Sequence, residues 1–392
     1  MMKRVMERKG KKINSLNKTV FDISIDFEKS QGSKLFDKNN GQRYLDYMSM
    51  FSSLPIGYNH DIFDEEYKNI ITKISKIRMA NNLFNSDELI AYRKHLQMYM
   101  RHPYTHFCST GALSVESAMK TALYENKRKS PIFWALKKAF HGINSWGFLT
   151  DNYGSTRERI NWYPRNDWEN LKLEEMIELL EKKSYPTDLV GIVIEPILCT
   201  SGDIYLEPEK LIHLSKLCKE NKVCFIVDEI QTGFGSSGSM WYSDSINLEY
   251  DILIFGKKSQ IMGINVAEEY SSAFKTPQRI LEVTFDGDLV DAIRSEFILR
   301  AYERDNLLDK AKSREEKIKS FFEDKVKNFR ATGNLWAFDF ESTEERDNFC
   351  QRCFQNLLLI NKGGESSVRM RPNLAVSEDE IEEMKDIITR SL

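Results

Sequence analysis

Three short apolar runs between residues 191 and 260 constrain the fold more than any other part of this sequence. They cover residues 192–194, 225–227 and 252–255, and they consist of Ile, Val, Leu and Phe. Continuous apolar runs of this length, bounded by Gly and Pro, are typical of strands that are buried on both faces of a parallel sheet. The sequence therefore predicts such a sheet in the middle of the chain.

A charged group stands at or just after the end of each run. Glu195 and Asp228 follow the first two, and Gly256-Lys257-Lys258 follows the third. Parallel sheets bind ligands at the carboxyl ends of their strands, so these groups are expected to meet in one crevice. A lysine that forms a Schiff base and an aspartate that keeps a pyridine nitrogen protonated are what a pyridoxal 5'-phosphate (PLP) enzyme requires.

The alternation of strand and helix patterns predicts the domain organisation. From about Thr105 to Lys258 the alternation is typical of a doubly wound α/β domain with a mainly parallel sheet. The remaining patterns predict a smaller α+β domain. They comprise a hairpin from Phe21 to Asp46 that turns at Asn40-Gly41, one long helix from Leu289 to Val326, one strand over 329–340, a helix over 343–356, a short strand over 368–372 and a capped helix over 377–392.

The predicted division is an N-terminal segment, residues 1–60, that contributes to the small domain, a large PLP-binding domain, residues 61–288, and a C-terminal small domain, residues 289–392. A chain of 392 residues is long enough for this arrangement.

A second candidate site lies where a short strand, 106–108, runs into a helix through Ser109-Thr110-Gly111-Ala112. Small hydroxyl residues and glycine at such a turn expose backbone N–H groups that bind phosphate. The signal is weak alone, because many helices begin this way to satisfy their own caps. Another buried strand is predicted to start near Ile132 and to end at residues 140–142.

The stretch from Met48 to His60 is too apolar for a linker and too irregular for a core element. It is predicted to line a cavity, and Phe51 within it is a candidate substrate contact.

Metal binding is not favoured by the sequence. His102 and His106 have a ligand-like spacing, but Pro103 interrupts the helix that this spacing requires. Cys350 and Cys353 form a CxxC in a helical pattern with no partner cluster. No metal site is therefore expected, and the six cysteines are interpreted as reduced thiols of a cytoplasmic protein.

The composition gives no support for nucleic-acid or membrane partners. The net charge is −3, from 56 basic and 59 acidic residues. The basic first dozen residues lack the apolar core of a signal peptide, and no run approaches the roughly 20 apolar residues that span a bilayer.

Taken together, these residues resemble the class III, ω-type aminotransferases of PLP fold type I, from about Tyr44 to Ser391. The segment DEIQTGFGSSGSMW and its 29-residue interval from Asp228 to Lys257 resemble the family's signature. FGKKSQIMG, YLDYMSMFSSLPIGYNH and VRMRPNLAVS look most like the lysine 6-aminotransferase branch.

The resemblance implies a role for particular residues. Lys257 matches the Schiff-base position and Asp228 the partner of the pyridine nitrogen, although Lys258 could exchange roles with Lys257. Thr284 matches a threonine that reaches the phosphate of the neighbouring subunit's cofactor, which implies a homodimer. The implied cofactor-binding residues are Thr110, Gly111, Ala112, Phe140, His141, Gln231 and Thr284.

Two departures from the branch affect substrate recognition. Ile143 stands where an arginine holds the second carboxylate of a dicarboxylic partner, and Thr200 stands where a glutamate pairs with the substrate arginine. That arginine matches Arg369, although Arg371 lies one strand repeat away and could serve instead. Without the glutamate, Arg369 is expected to stay free, which favours a partner that presents a single carboxylate.

The resulting hypothesis is a PLP-dependent aminotransferase that acts on a terminal primary amine. Two alternatives remain open, namely another PLP reaction on the same fold, such as an aminomutase or a decarboxylating transaminase, and a non-catalytic binding protein. A nucleotide-binding dehydrogenase is set aside, because no GxGxxG motif opens a helix after a strand.

Overall fold

A computed structural model describes residues 21–144 and 168–392. In these ranges the strands are β1 (Lys34–Phe36), β2 (Arg43–Asp46), β3 (Tyr104–Cys108), β4 (Ile132–Leu136), β5 (Trp168–Leu171), β6 (Leu189–Ile194), β7 (Ile197–Leu198), β8 (Ile204–Tyr205), β9 (Cys224–Asp228), β10 (Ile252–Phe255), β11 (Met262–Val266), β12 (Lys327–Thr332), β13 (Leu335–Asp339), β14 (Leu358–Leu359), β15 (Asn361–Gly363) and β16 (Ser367–Met370).

The helices alternate with these strands through the middle of the chain. They are α1 (Ser49–Ser52), α2 (Glu65–Ile74), α3 (Asp87–Gln97), α4 (Gly111–Asn126), α5 (Leu173–Glu181), α6 (Pro208–Asn221), α7 (Tyr242–Ser245), α8 (Ser272–Lys275), α9 (Leu289–Arg304), α10 (Leu307–Phe322), α11 (Thr343–Gln355) and α12 (Glu378–Ser391), with short 3-10 turns at Lys257–Ser259 and Glu268–Tyr270.

The large sheet has seven strands in the order β3-β11-β10-β9-β6-β4-β5. The pairs from β10 through β9, β6 and β4 to β5 are all parallel. Only β11 runs against its neighbours β10 and β3. Six strands therefore share one direction, which brings the ends of β3, β4, β6, β9 and β10 to the same edge. The predicted α/β fold with a mainly parallel sheet is confirmed.

Both faces of this sheet are buried because alternate residues of each strand enter different cores. Val227 and Ile194 pack with α5, α6 and α9 on one side. Ile226 and Val193 pack with α4 on the other. Strand side chains alternate between faces, so an apolar core on each side requires the unbroken apolar runs seen in the sequence.

A separate core joins the N-terminal hairpin to the C-terminal elements. Leu45 and Tyr47 are buried together with residues of α10, β12, β13, α11, β16 and α12. Strand β14 also pairs in parallel with β2 of the hairpin. The first and last parts of the chain therefore form one packed unit. The boundaries at residues 60 and 288 stay predictions, and α9 packs into the core beside the large sheet.

Three predicted elements differ from the structure. The long helix from Leu289 to Val326 is two helices, α9 and α10, because Asn306 takes a left-handed backbone with φ 51°. The single strand predicted over 329–340 is the antiparallel pair β12 and β13, which turns at Gly333 with φ 55°. The strand expected to reach residues 140–142 ends at Leu136.

Candidate active site

The ends of β6, β9 and β10 build the floor of a cavity of about 250 Å³. Ile254 lies opposite Asp228 in the pair of β10 with β9, and Ile194 lies opposite Val227 in the pair of β6 with β9. Asp228 and Lys257 therefore reach the same space although they are 29 residues apart. The cavity is lined by Gly111, Ala112, Phe140, His141, Gly142, Ile143, Asn144, Glu195, Asp228, Ile230, Gln231, Lys257 and Met262.

The Asp228 carboxylate is buried and held by two donors. Its Oδ1 accepts from the Ile230 backbone N–H at 3.0 Å, and its Oδ2 accepts from His141 Nδ1 at 2.7 Å. Two hydrogen bonds fix the orientation of the carboxylate. The other ring nitrogen of His141, Nε2, is buried and has no hydrogen-bond partner within residues 21–144 and 168–392.

Lys257 leaves the sheet through a sharp turn. Gly256 is extended, Lys257 has φ 53°, and the Lys257 backbone N–H contacts Met262 Sδ at 3.2 Å. Burial lowers the pKa of the Lys257 amine, while Cys199, Asp228 and Glu195 oppose this effect. A lowered pKa increases the neutral fraction of the amine, which is the nucleophilic form.

Glu195 lines the cavity, as expected from its place at the end of a buried strand, although the sequence indicated no particular role for it there. Burial raises the pKa of its carboxyl to about 7, with Asp228 adding to the effect and His141 opposing it. Its Oε1 accepts from the Phe140 backbone N–H at 2.7 Å, so Glu195 fixes the segment that carries Phe140 and His141. The available signal was an acid at the end of a buried strand, the same signal that identified Asp228.

The predicted phosphate turn also lines the cavity. Thr110 caps α4, because its Oγ1 accepts from the Leu113 backbone N–H at 3.2 Å. Gly111 and Ala112, in the first turn of α4, line the cavity, and first-turn N–H groups lack partners within a helix. Gly142 completes this wall with φ 111°, and a Cβ there would lie 2.8 Å from Ala112 Cβ, so a side chain is excluded.

Gln231 lines the cavity and contacts two arginines, Arg369 in β16 and Arg371 directly after this strand. Its Oε1 accepts from Arg369 Nη1 at 3.4 Å and from Arg371 Nε at 3.3 Å. Arg371 is buried and forms an ion pair with Asp203, which is also buried. Arg369 is only partly buried. The two arginines, which the sequence left as alternatives, therefore have different surroundings.

The expectation that Arg369 stays free was wrong. Its guanidinium donates to the Cys199 carbonyl oxygen at 2.8 Å and to the Lys362 carbonyl oxygen at 3.1 and 3.3 Å, besides Gln231. The absence of a glutamate at position 200 does not leave the guanidinium without contacts, because backbone carbonyl oxygens after β7 and in β15 accept from it.

Phe51 and Arg369 line a second opening, a groove of about 880 Å³. Phe51 is 59% exposed, and Met48 lines the groove beside it. The cavity and the groove are neighbours, because Arg369, which lines the groove, donates a hydrogen bond to Gln231, which lines the cavity.

The remaining candidates lie at different distances from the cavity. Ile143 lines it and is 70% exposed. Thr200 lies outside its lining, in the turn after β7, where its carbonyl oxygen accepts from the Gly364 N–H at 3.1 Å. Thr284 is on the surface between Val283 and Phe285, which are 46% and 48% exposed.

Among the described residues, no group of three or more His, Cys, Asp or Glu side chains is arranged to hold a metal ion. The helices of the described ranges include none that is long and apolar enough to cross a bilayer.

Comparison with known proteins gives matches along nearly the whole chain. Residues 15–392 match the family described as aminotransferase class-III. The L-lysine-epsilon aminotransferase of Mycobacterium tuberculosis is 28% identical over 92% of this chain and 90% of its own. The 4-aminobutyrate aminotransferase of Schizosaccharomyces pombe is 27% identical over 89% of this chain and 85% of its own. The solved lysine aminotransferase from M. tuberculosis in the internal aldimine form has a TM-score of 0.89 at 26% identity and covers 97% of each chain.

Proposed function

The chain belongs to the class-III aminotransferases and is a PLP-dependent transaminase, and we propose that it moves a terminal primary amine to or from a carbonyl compound. The observation that carries this proposal is the shared cavity of Asp228 and Lys257 at the ends of neighbouring parallel strands. Similarity to a lysine-epsilon and a 4-aminobutyrate aminotransferase supports a terminal amine, since both names specify one.

The residues of the cavity fit PLP. Lys257 would hold it covalently, Asp228 would pair with the pyridine nitrogen, and the first turn of α4 at Gly111 and Ala112 would bind the phosphate. Phe140 would lie against the ring face. When bound, PLP supplies an electron-accepting ring that stabilises negative charge on the substrate carbon next to nitrogen.

The protein's own groups position the substrate and move the proton. The Lys257 amine, with its pKa lowered by burial, can take a proton from the substrate carbon and return it elsewhere. Ile230 and His141 hold the Asp228 carboxylate by hydrogen bonds in the orientation in which it would face the pyridine nitrogen. Lys258 is unsuited to the role of Lys257, because its ammonium contacts Ser52 instead.

Substrate recognition is proposed to depend on one carboxylate. Arg369 would bind it, since a planar guanidinium suits two carboxylate oxygens and Arg371 is already paired with Asp203. Ile143 offers no cation for a second carboxylate, and burial of an unpaired carboxylate costs several kcal/mol. A monocarboxylic keto acid is therefore the favoured amino acceptor over a dicarboxylic one.

The active enzyme is proposed to be a homodimer. Thr284 lies away from the cavity of its own chain, on the surface, with the half-exposed Val283 and Phe285 beside it. A contact of Thr284 with the cofactor phosphate of a second copy would give this surface a function.

The proposal is tested with purified protein and PLP. We expect a visible absorbance band from the bound cofactor, and borohydride should fix it to Lys257, as read by peptide mass spectrometry. A panel of amines with pyruvate or 2-oxoglutarate as acceptor then identifies the substrates, and turnover should be higher with pyruvate. Absence of both the band and the adduct would favour a non-catalytic protein, and carbon dioxide release or an isomerised product would favour another PLP reaction.

A further inference from the structure

Four consecutive residues beside the groove have a left-handed backbone. Ser49, Met50, Phe51 and Ser52 have φ values of 47°, 49°, 57° and 71°, and none is glycine. Each such residue costs roughly 1–2 kcal/mol relative to a right-handed conformation. A turn of this kind persists only where its surroundings hold it, and such strain is concentrated at functional sites.

Asp46 holds the beginning of the turn. Its Oδ1 accepts from the backbone N–H groups of Met48 at 2.9 Å and Ser49 at 2.8 Å. Tyr58 donates from its hydroxyl to Asp46 Oδ2 at 2.8 Å. These contacts fix the entry of the turn but leave its exit to other groups.

Lys258 and Gln260, which follow Lys257 in the chain, hold the end of the turn. Lys258 Nζ donates to the Ser52 carbonyl oxygen at 3.1 Å and to Ser52 Oγ at 2.9 Å. Gln260 Nε2 donates to the Ser53 carbonyl oxygen at 2.6 Å and to the Lys257 carbonyl oxygen at 3.1 Å. The backbone that positions Lys257 is thereby tied to the turn that carries Phe51.

Lys258 is an unusual choice for this contact, because it is only 1% exposed. In the part of the chain that the structure describes, no carboxylate pairs with its ammonium group. Burial lowers the pKa of Lys258 to about 7, with Arg371 and Lys257 adding to the effect. A lysine buried without a counter-ion is costly, and both its charged and its neutral form can donate to Ser52.

We propose that Lys258 is a positioning residue for substrate recognition, which acts by fastening the Ser49–Ser52 turn so that Phe51 lies in the groove with Arg369. This inference rests on the proposed function. Lys257 performs the chemistry, and its neighbour Lys258 determines where the substrate-facing turn lies. Without the contact, the end of the strained turn is held by Gln260 alone, and Phe51 becomes mobile.

The kinetic test compares Lys258→Met, which cannot donate, with Lys258→Gln, which retains amide donors. We expect Lys258→Met to raise KM for the amine at least about tenfold while kcat changes less than about threefold, and Lys258→Gln to recover part of the loss. Lys385→Met is the control, because this lysine lies on α12 and pairs with Glu382. A fall in kcat with KM unchanged would overturn the proposal.

Hydrogen exchange tests the contact without substrate or turnover. The Ser52 and Ser53 amides donate to the carbonyl oxygens of Met48 and Ser49, at 3.0 and 2.9 Å, and should be protected. Lys258→Met should speed their exchange at least about tenfold, and Ser52→Ala, which removes one acceptor and threatens the fold less, should do so by a smaller factor. Unchanged exchange in both variants contradicts the fastening role even in an active enzyme, whereas absent cofactor absorbance in the wild type contradicts the proposed function alone.

Discussion

The cavity of Asp228 and Lys257 and the groove of Phe51 and Arg369 are connected but built differently. The cavity is formed at the ends of neighbouring strands of one sheet. The groove is lined by residues of the left-handed turn, β15 and β16. Lys258, which holds the turn, is 206 residues away from Ser52 in the sequence. The chemistry of the site thus depends on sheet topology, and its specificity depends on contacts between distant segments.

The largest effect is expected at the cavity. Lys257→Ala removes both the covalent attachment and the proton-transfer group, and transamination should fall by about 10⁴-fold or more. Single-turnover conversion of a bound amine is the measurement. Lys258→Gln provides the matched comparison, since it changes the adjacent lysine and should retain most of kcat. Equal losses in both variants would mean that the two lysines do not divide their roles in this way.

Arg371 tests the boundary between the two regions. Arg371→Met leaves the buried Asp203 carboxylate without its partner, which should cost about 3–5 kcal/mol of unfolding free energy. For a chain of this size the melting temperature should fall by about 5 °C. The double variant with Asp203→Asn removes the unpaired charge and should recover part of the loss. A stable Arg371→Met protein with weakened keto-acid binding would instead assign the carboxylate to Arg371.

The ends of the apolar runs were predictable because the signal is local. Ile226 and Val227 must both be apolar in a strand buried on both faces, and Asp228 ends that strand in the sequence itself. The Thr110 cap was predictable for the same reason.

The left-handed turn could not be predicted, because its four residues have no local preference for positive φ. Lys258 and Asp46 hold it through contacts that sequence periodicity does not reveal. The roles of Glu195 and of the two arginines depend equally on distant partners. Glu195 contacts the Phe140 backbone, and Arg371 contacts Asp203.

A smaller effect is expected in the groove. Arg369→Met should raise KM for a keto acid by about 10–100-fold, since charge-assisted hydrogen bonds contribute roughly 1.5–3 kcal/mol. Steady-state kinetics at saturating amine gives this value. Lys362→Met is the control, because it removes a cation from the same groove but keeps the backbone carbonyl that contacts Arg369. Similar losses in both variants would indicate that general positive charge, rather than the guanidinium, binds the carboxylate.

The smallest effect is expected in the loop that carries Thr284. The residues 283–286 of this loop line neither the cavity nor the groove. Asp286 Oδ2 accepts from the Val283 N–H at 2.6 Å and lies 3.5 Å from His106 Nε2 on β3. Although burial opposes it, the facing groups Asp286 and Cys108 raise the pKa of His106 to about 9. Because this pKa exceeds the usual 6.5, the ion pair stabilises the fold fully below about pH 6.5 and loses its effect as pH rises through about 9.

Asp286→Asn is therefore expected to lower stability by about 1–2 kcal/mol at pH 6.5, and the difference from the wild type should shrink towards pH 9.5. Thermal unfolding of both proteins across this pH range measures the difference in stability. The contributions of other titrating groups are the same in both proteins and cancel in this difference. A difference that stays constant from pH 6.5 to 9.5 would mean that His106 is not charged in the folded protein. The Thr284 loop would then be held by the Val283 hydrogen bond rather than by an ion pair to the strand that leads into the phosphate turn.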